Sequence, residues 1–118
     1  MAFYHNQSQL TGRAGHDPKL HYLSDGTAML RLRLYQDKPR EGGAGPAPSF
    51  HLVAWGDLAE AFYRKVKRGS ELFVQGRLCT RLLEYEGTKL QRTEIHLDHF
   101  LLLSSGRPAP ERLQPSTL

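Results

Sequence analysis

Apolar and polar positions alternate most sharply between Ala28 and Tyr35, where Leu30, Leu32 and Leu34 share one parity and Arg31, Arg33 and Tyr35 the other. Alternation of period two marks a strand with one buried face, so this segment has an apolar face and a basic face that ends in an aromatic ring. Two further alternating runs flank a segment of a different period. Phe50, Leu52 and Ala54 alternate with His51, Val53 and Trp55, and Leu72, Val74, Gly76 and Leu78 alternate with Phe73, Gln75, Arg77 and Cys79. Between them Leu58, Ala59, Phe62 and Val66 recur at helical intervals. Asp57 and Glu60 stand at the spacing of a capping box. Arg64, Lys65, Lys67 and Arg68 crowd the last turn, where cations suit the helix dipole, and Gly69 follows at the usual left-handed C-terminal position. The centre of the chain is therefore predicted to be strand, helix, strand, and a small β-barrel capped by one helix is the economical arrangement.

The flanks are less regular. Phe3 to Thr11 alternates weakly, with Ser8 and Leu10 against Gln7, Gln9 and Thr11. Gly12, Gly15, Asp17 and Pro18 mark a turn-rich connection, and Asp25-Gly26 is a hairpin signal leading into Ala28. Gln36 to Pro48 contains three prolines and three glycines and cannot form a regular element; connections of this length in compact domains are commonly functional or disordered. Glu86-Gly87-Thr88 reads as a second hairpin turn, and from Gln91 to Leu103 the residues Thr93, Ile95 and Leu97 oppose Arg92, Glu94, His96 and Asp98. Ser104 to Leu118 holds Pro108, Pro110 and Pro115 among few apolar residues, which predicts a disordered tail. The expected division is one domain over residues 1–103 and a tail over residues 104–118.

Composition narrows the class without choosing a partner. With 118 residues and 39% hydrophobic content there is room for one domain and one modest core. No run of about 18 apolar residues could span a bilayer. The opening residues lack a basic segment followed by an apolar run, and a single cysteine cannot form an internal disulfide, so a reducing cytoplasm is the expected compartment. Sixteen Lys and Arg against 12 Asp and Glu leave +4, which favours a polyanionic partner only weakly. The placement of the cations matters more than their sum.

The motifs add a resemblance. Asn6, Leu10-Thr11-Gly12, Gly15-His16-Asp17-Pro18, Tyr22, Asp25-Gly26-Thr27-Ala28, Trp55 to Glu60, Arg68-Gly69-Ser70 and Val74 to Leu78 follow, in order and spacing, the pattern of bacterial single-stranded DNA-binding proteins. The chain resembles that family over roughly residues 6 to 103. The resemblance supports the weak first strand and implies an all-β fold, a five-stranded OB-fold barrel with one α-helix between strands 3 and 4, which is also the order of the elements predicted above. It implies single-stranded DNA as partner, a nucleoid-associated place in the cytoplasm, and a homo-oligomer, tetramer or dimer. It further implies that Trp55 is a base-stacking aromatic and that Lys38 and Arg40, in the long loop, close over a bound backbone. Ser49 and Leu83 occupy two places where well-known members carry other stacking tryptophans. Family members typically end in an acidic tail that recruits replication and repair proteins; here Arg107, Glu111 and Arg112 give the segment after Leu103 a different charge.

Binding single strands without strong sequence preference needs cations along a groove and aromatic faces for stacked bases. The outward sets supply both: Arg31, Arg33 and Tyr35 on the second strand, His51 and Trp55 on the third, and Arg77, Arg81 and Tyr85 on the fourth would share one surface in a closed barrel. Arg64, Lys65, Lys67 and Arg68 are read instead as helix-end and solubility charges. Enzymatic readings are poorly supported. His96 and His99 have no accompanying metal motif, and a strand places residues three apart on opposite faces, so no metal and no cofactor are expected. Cys79 has no neighbour that suggests activation, and no glycine pattern cradles a nucleotide phosphate. Beside the single-strand binder stand two alternatives: a PriB-like primosomal accessory protein, similar in fold and short, and an OB-fold interaction module whose groove takes a protein or a sugar.

Overall fold

The structure is a computed structural model and describes residues 3–36 and 47–105. Its elements are β1 (Ser8–Ala14), β2 (Lys19–Tyr22), β3 (Ala28–Tyr35), β4 (Ser49–Trp55), α1 (Gly56–Lys65), β5 (Glu71–Tyr85) and β6 (Thr88–Ser104). The sheet order β1-β5-β6-β4-β3, together with pairing of β1 back onto β3, closes a ring of five strands. Four of the five joints are antiparallel, and the β4–β6 joint is parallel through Leu52↔Ile95 and Val53↔His96. This is the expected OB-fold barrel, with α1 between the third and fourth strands of the ring.

Leu30, Leu32, Leu34, Leu52, Ala54, Leu72, Val74, Ile95 and Leu97 fill the barrel, as their parity predicts. The apolar stripe of α1 closes one end: Ala59, Phe62 and Val66 are buried, and the Phe62 ring tilts against Phe100 at 4.7 Å between centroids. Asn6 acts as an extra rung beyond β1. Its side-chain Nδ2 donates to the Leu78 carbonyl at 2.9 Å and its Oδ1 accepts from the Leu78 N–H at 3.0 Å, the pattern a paired strand residue would make.

Several expectations are corrected. β1 covers residues 8–14 rather than 3–11, and Gly12 lies inside it because this backbone runs against Leu34 and Tyr35, where a Cβ would meet the Tyr35 carbonyl oxygen at 2.6 Å. The stretch read as a plain connection contains β2, a short strand paired with β3. The helix starts at Gly56, one residue before Asp57, so Asp57 sits within the first turn and the capping box does not form. It ends at Lys65, and Lys67 and Arg68 lie in a following turn that the Ser70 Oγ and the Asp17 carboxylate hold through the Lys67 and Arg68 N–H groups. Gly69, with φ of +87°, completes that turn. β6 is longer than expected, because Glu86 and Gly87 form a two-residue turn with positive φ at both positions, pairing Tyr85 with Thr88. At its other end β6 runs through Ser104, one residue past the expected domain limit. Leu78 is 47% exposed instead of buried, since β5 extends beyond the barrel at that point. Among the described residues no helix is long and apolar enough to cross a membrane.

Candidate nucleic-acid interface

Strand pairing assembles the outer face in rows. Across β3 and β4, Met29 faces Trp55, Arg31 faces Val53, Arg33 faces His51 and Tyr35 faces Ser49. Val53 then pairs with His96 of β6, and His96 with Arg77 of β5. Farther along β5 and β6, toward the hairpin between them, Cys79 faces Glu94 and then Arg81 faces Arg92. The outward sets of β3, β4 and β5 thus do share one surface, but β6 lies between β4 and β5 and contributes Arg92, Glu94 and His96 to its centre. Val53, of outward parity, is fully buried because Arg31 and His96 flank it.

Trp55 ends β4 in an extended conformation and is 40% exposed, so its ring is on the surface. Its Nε1–H points at His96 Nδ1, 3.3 Å away, with the two ring centroids 6.1 Å apart. Glu94 is almost fully buried in the same face. Its Oε2 accepts from Arg31 Nη1 at 2.6 Å and from Arg81 Nε at 3.0 Å, and its Oε1 lies 3.4 Å from His96 Nε2. Burial pushes the Glu94 carboxyl up, but the hydrogen bonds and charges of the two arginines outweigh it and hold the group below the usual carboxylate range. Arg31 and Arg81 are therefore not bare cations.

Arg33 is arranged differently. Its Nη2 donates to Ser49 Oγ at 3.1 Å, its guanidinium lies 5.7 Å from the centre of the Tyr35 ring, and no carboxylate among the described residues pairs with it. Ser49, at one of the places where well-known members of the resembling family carry a stacking tryptophan, here anchors a cation. A depression of about 210 Å³ opens beside it, lined by His16, Arg31, Arg33, His51 and Arg92. His51 is held below the usual imidazole range, first by burial and then by Arg92, Arg33 and Arg31, with Glu94 pulling the other way.

The remaining expected site residues fall apart from this centre. The Tyr35 ring packs on Gly15, where a Cβ would overlap Cε1 and come within 2.6 Å of Cδ1, so the ring is covered on that side. Arg77 is exposed and makes only a loose 3.9 Å contact with Asp98. Tyr85 shares the outward parity but sits at the hairpin tip, eight residues beyond Arg77 and about 26 Å along the strand. Lys38 and Arg40 lie outside the described residues. His96 and His99 do not sit on opposite faces: Gly76 pairs with Leu97 and Gln75 with His99, so the extra residue Asp98 restores His99 to the outer side. They still diverge, His96 toward Trp55 and His99 toward Phe73. Sequence parity had already grouped Arg92, Glu94 and His96, and only their position between β4 and β5 was missing; His16 comes from a turn and had no such signal.

A family profile described as the single-strand binding protein family matches residues 5–103. Among curated relatives, the chain is 32% identical over 96 residues to single-stranded DNA-binding protein 1 of Xylella fastidiosa, covering 76% of this chain and 71% of that protein. It is 31% identical over 112 residues to the single-stranded DNA-binding protein of Lactiplantibacillus plantarum, covering 92% of this chain and 56% of that one. With single-stranded DNA-binding protein 1 of Synechocystis it shares 32% identity over 108 residues, 90% of this chain and 89% of the relative.

Proposed function

We propose that this chain, which belongs to the single-strand binding protein family, binds single-stranded DNA with little sequence preference along the outer face of β3, β4, β6 and β5, and so coats unwound DNA in replication, recombination or repair. The observation that carries this reading is the meeting, on the outer face of β3, β4 and β6, of an exposed tryptophan with cations that no carboxylate among the described residues pairs: Trp55 with Arg33 and Arg92. Every base offers a π-face, so stacking on Trp55 would hold any sequence, while the cations meet the backbone. The chemistry is binding rather than catalysis. A homo-oligomer in the cytoplasm completes the proposal. Leu101 at 57% exposed and Leu103 at 56% leave apolar surface at the end of β6 for a second copy to cover.

Arg33→Ala should weaken binding to all single strands alike and make the slope of log K against log salt shallower by about 0.7, the contribution of one neutralised phosphate. Titrations with oligo-dT across a range of salt read this directly, and an unchanged slope would remove Arg33 from the phosphate path. A second expectation concerns pH. The His51 imidazole is held below its usual range by burial and by Arg92, Arg33 and Arg31, with Glu94 opposing, and a phosphate arriving beside it would favour the imidazolium. Binding should then take up a proton, and affinity should rise as pH falls toward and below about 6.5. Comparing His51→Gln with the parent checks it: the variant should give the flatter pH profile.

A further inference from the structure

Glu94 is an anomaly in a face that meets a polyanion: a carboxylate only 1% exposed, at the centre of the surface, with three partners drawn from three strands. The Trp55 indole N–H can only donate, so His96 Nδ1 must accept, and the ring proton then resides on Nε2, where it can be donated to Glu94 Oε1. One tautomer therefore satisfies both contacts and links the carboxylate to the exposed indole. On its other oxygen the same carboxylate binds Arg31 of β3 and Arg81 of β5, which no other carboxylate among the described residues pairs.

We infer that Glu94 is the positioning residue of this face: an internal counterion that cancels one of the two charges of Arg31 and Arg81 and, through His96, fixes the orientation of Trp55. The inference rests on reading this face as the DNA surface, but it concerns a group that does not touch DNA. Two guanidiniums and one carboxylate carry a net single charge, so the cluster neutralises at most one phosphate where the two arginines alone would neutralise two. The carboxylate thereby trades electrostatic attraction for a fixed stacking platform.

Glu94→Gln keeps the shape and removes the charge. The expected result is a salt slope for oligo-dT steeper than the parent's by about 0.7, one additional phosphate. Adding Arg81→Gln to that variant should restore the parent slope. Trp55 is the single tryptophan of the chain, so emission reports it alone. In the DNA-free Glu94→Gln protein its emission should shift to the red and become more accessible to acrylamide, because the His96 anchor is slackened. A purely structural Glu94 would lower the melting temperature and leave both the slope and the emission of the folded protein unchanged, and that outcome overturns the inference. Should Glu94→Gln fail to fold, His96→Leu leaves both arginine pairs in place; a Trp55 emission and acrylamide response identical to the parent's would overturn it equally. If the parent itself does not bind oligo-dT, the assignment of the face fails, whereas the emission of the free protein still tests the link from Glu94 to Trp55.

Discussion

Gly76→Ala is expected to destabilise the barrel more than any substitution on its outer face. A Cβ at this position would overlap the carbonyl oxygen of His96 and stand 2.8 Å from the His96 carbonyl carbon and 2.9 Å from Leu97 Cα. These are backbone atoms of the neighbouring strand, and they cannot rotate away as a side chain would. The contact falls where the β5–β6 register shifts, between Gln75 and Gly76, and at such an irregularity glycine commonly marks a close backbone approach. Overpacking costs typically about 1–3 kcal/mol and occasionally more, and a clash with backbone belongs at or beyond the upper end. At about 4–8 °C per kcal/mol for a domain of this size, the melting temperature should fall by more than 10 °C. Thermal unfolding followed by circular dichroism reads it. A melting temperature within about 2 °C of the parent would mean that β5 and β6 are not so closely apposed, and with them the placement of His96 beside Trp55 would go.

Trp55→Ala should have the opposite signature, a large loss of binding with the fold kept. Stacking under a base is worth about 1–3 kcal/mol, or roughly 5- to 150-fold in affinity. The ring is 40% exposed, so its truncation removes little from the core; burying a tryptophan fully and then deleting it would cost about 3–5 kcal/mol of stability. Affinity for oligo-dT and the melting temperature are both needed. A steep fall in melting temperature with unchanged affinity per folded molecule would assign the ring to packing and leave the face without its stacking residue.

What the chain discloses before its structure is seen depends on the range of each signal. The alternation of Ala28 to Tyr35 and the helical spacing of Ala59, Phe62 and Val66 are local, and both set the buried faces correctly. The outward turn of Trp55 follows from its parity with His51 in the same way. β2 escaped because Lys19–Tyr22 is only four residues long and almost wholly exposed, so its brief alternation of Leu20 and Tyr22 with Lys19 and His21 is too short to mark a strand. The capping box failed by one residue: the strand-to-helix junction at Trp55 and Gly56 fixes where the helix starts, and a spacing of polar residues does not override it. The cluster on Glu94 was hidden for a different reason. Its members come from residues 31, 55, 81, 94 and 96, and what joins them is the parallel contact of β4 with β6, which leaves no periodic trace in either strand. Arg31 and Arg81 were legible as outward cations, and their shared counterion was not.

The most direct test is a titration of Trp55 fluorescence with oligo-dT and, separately, with duplex DNA of the same length, each at low and at high salt. Oligo-dT should quench the ring saturably at low salt, with log K falling against log salt by about 0.7 for each phosphate neutralised, and duplex DNA should quench it little. Binding that leaves the ring unquenched, that ignores salt, or that takes duplex as readily as single strands would contradict the assignment of this face to single-stranded DNA.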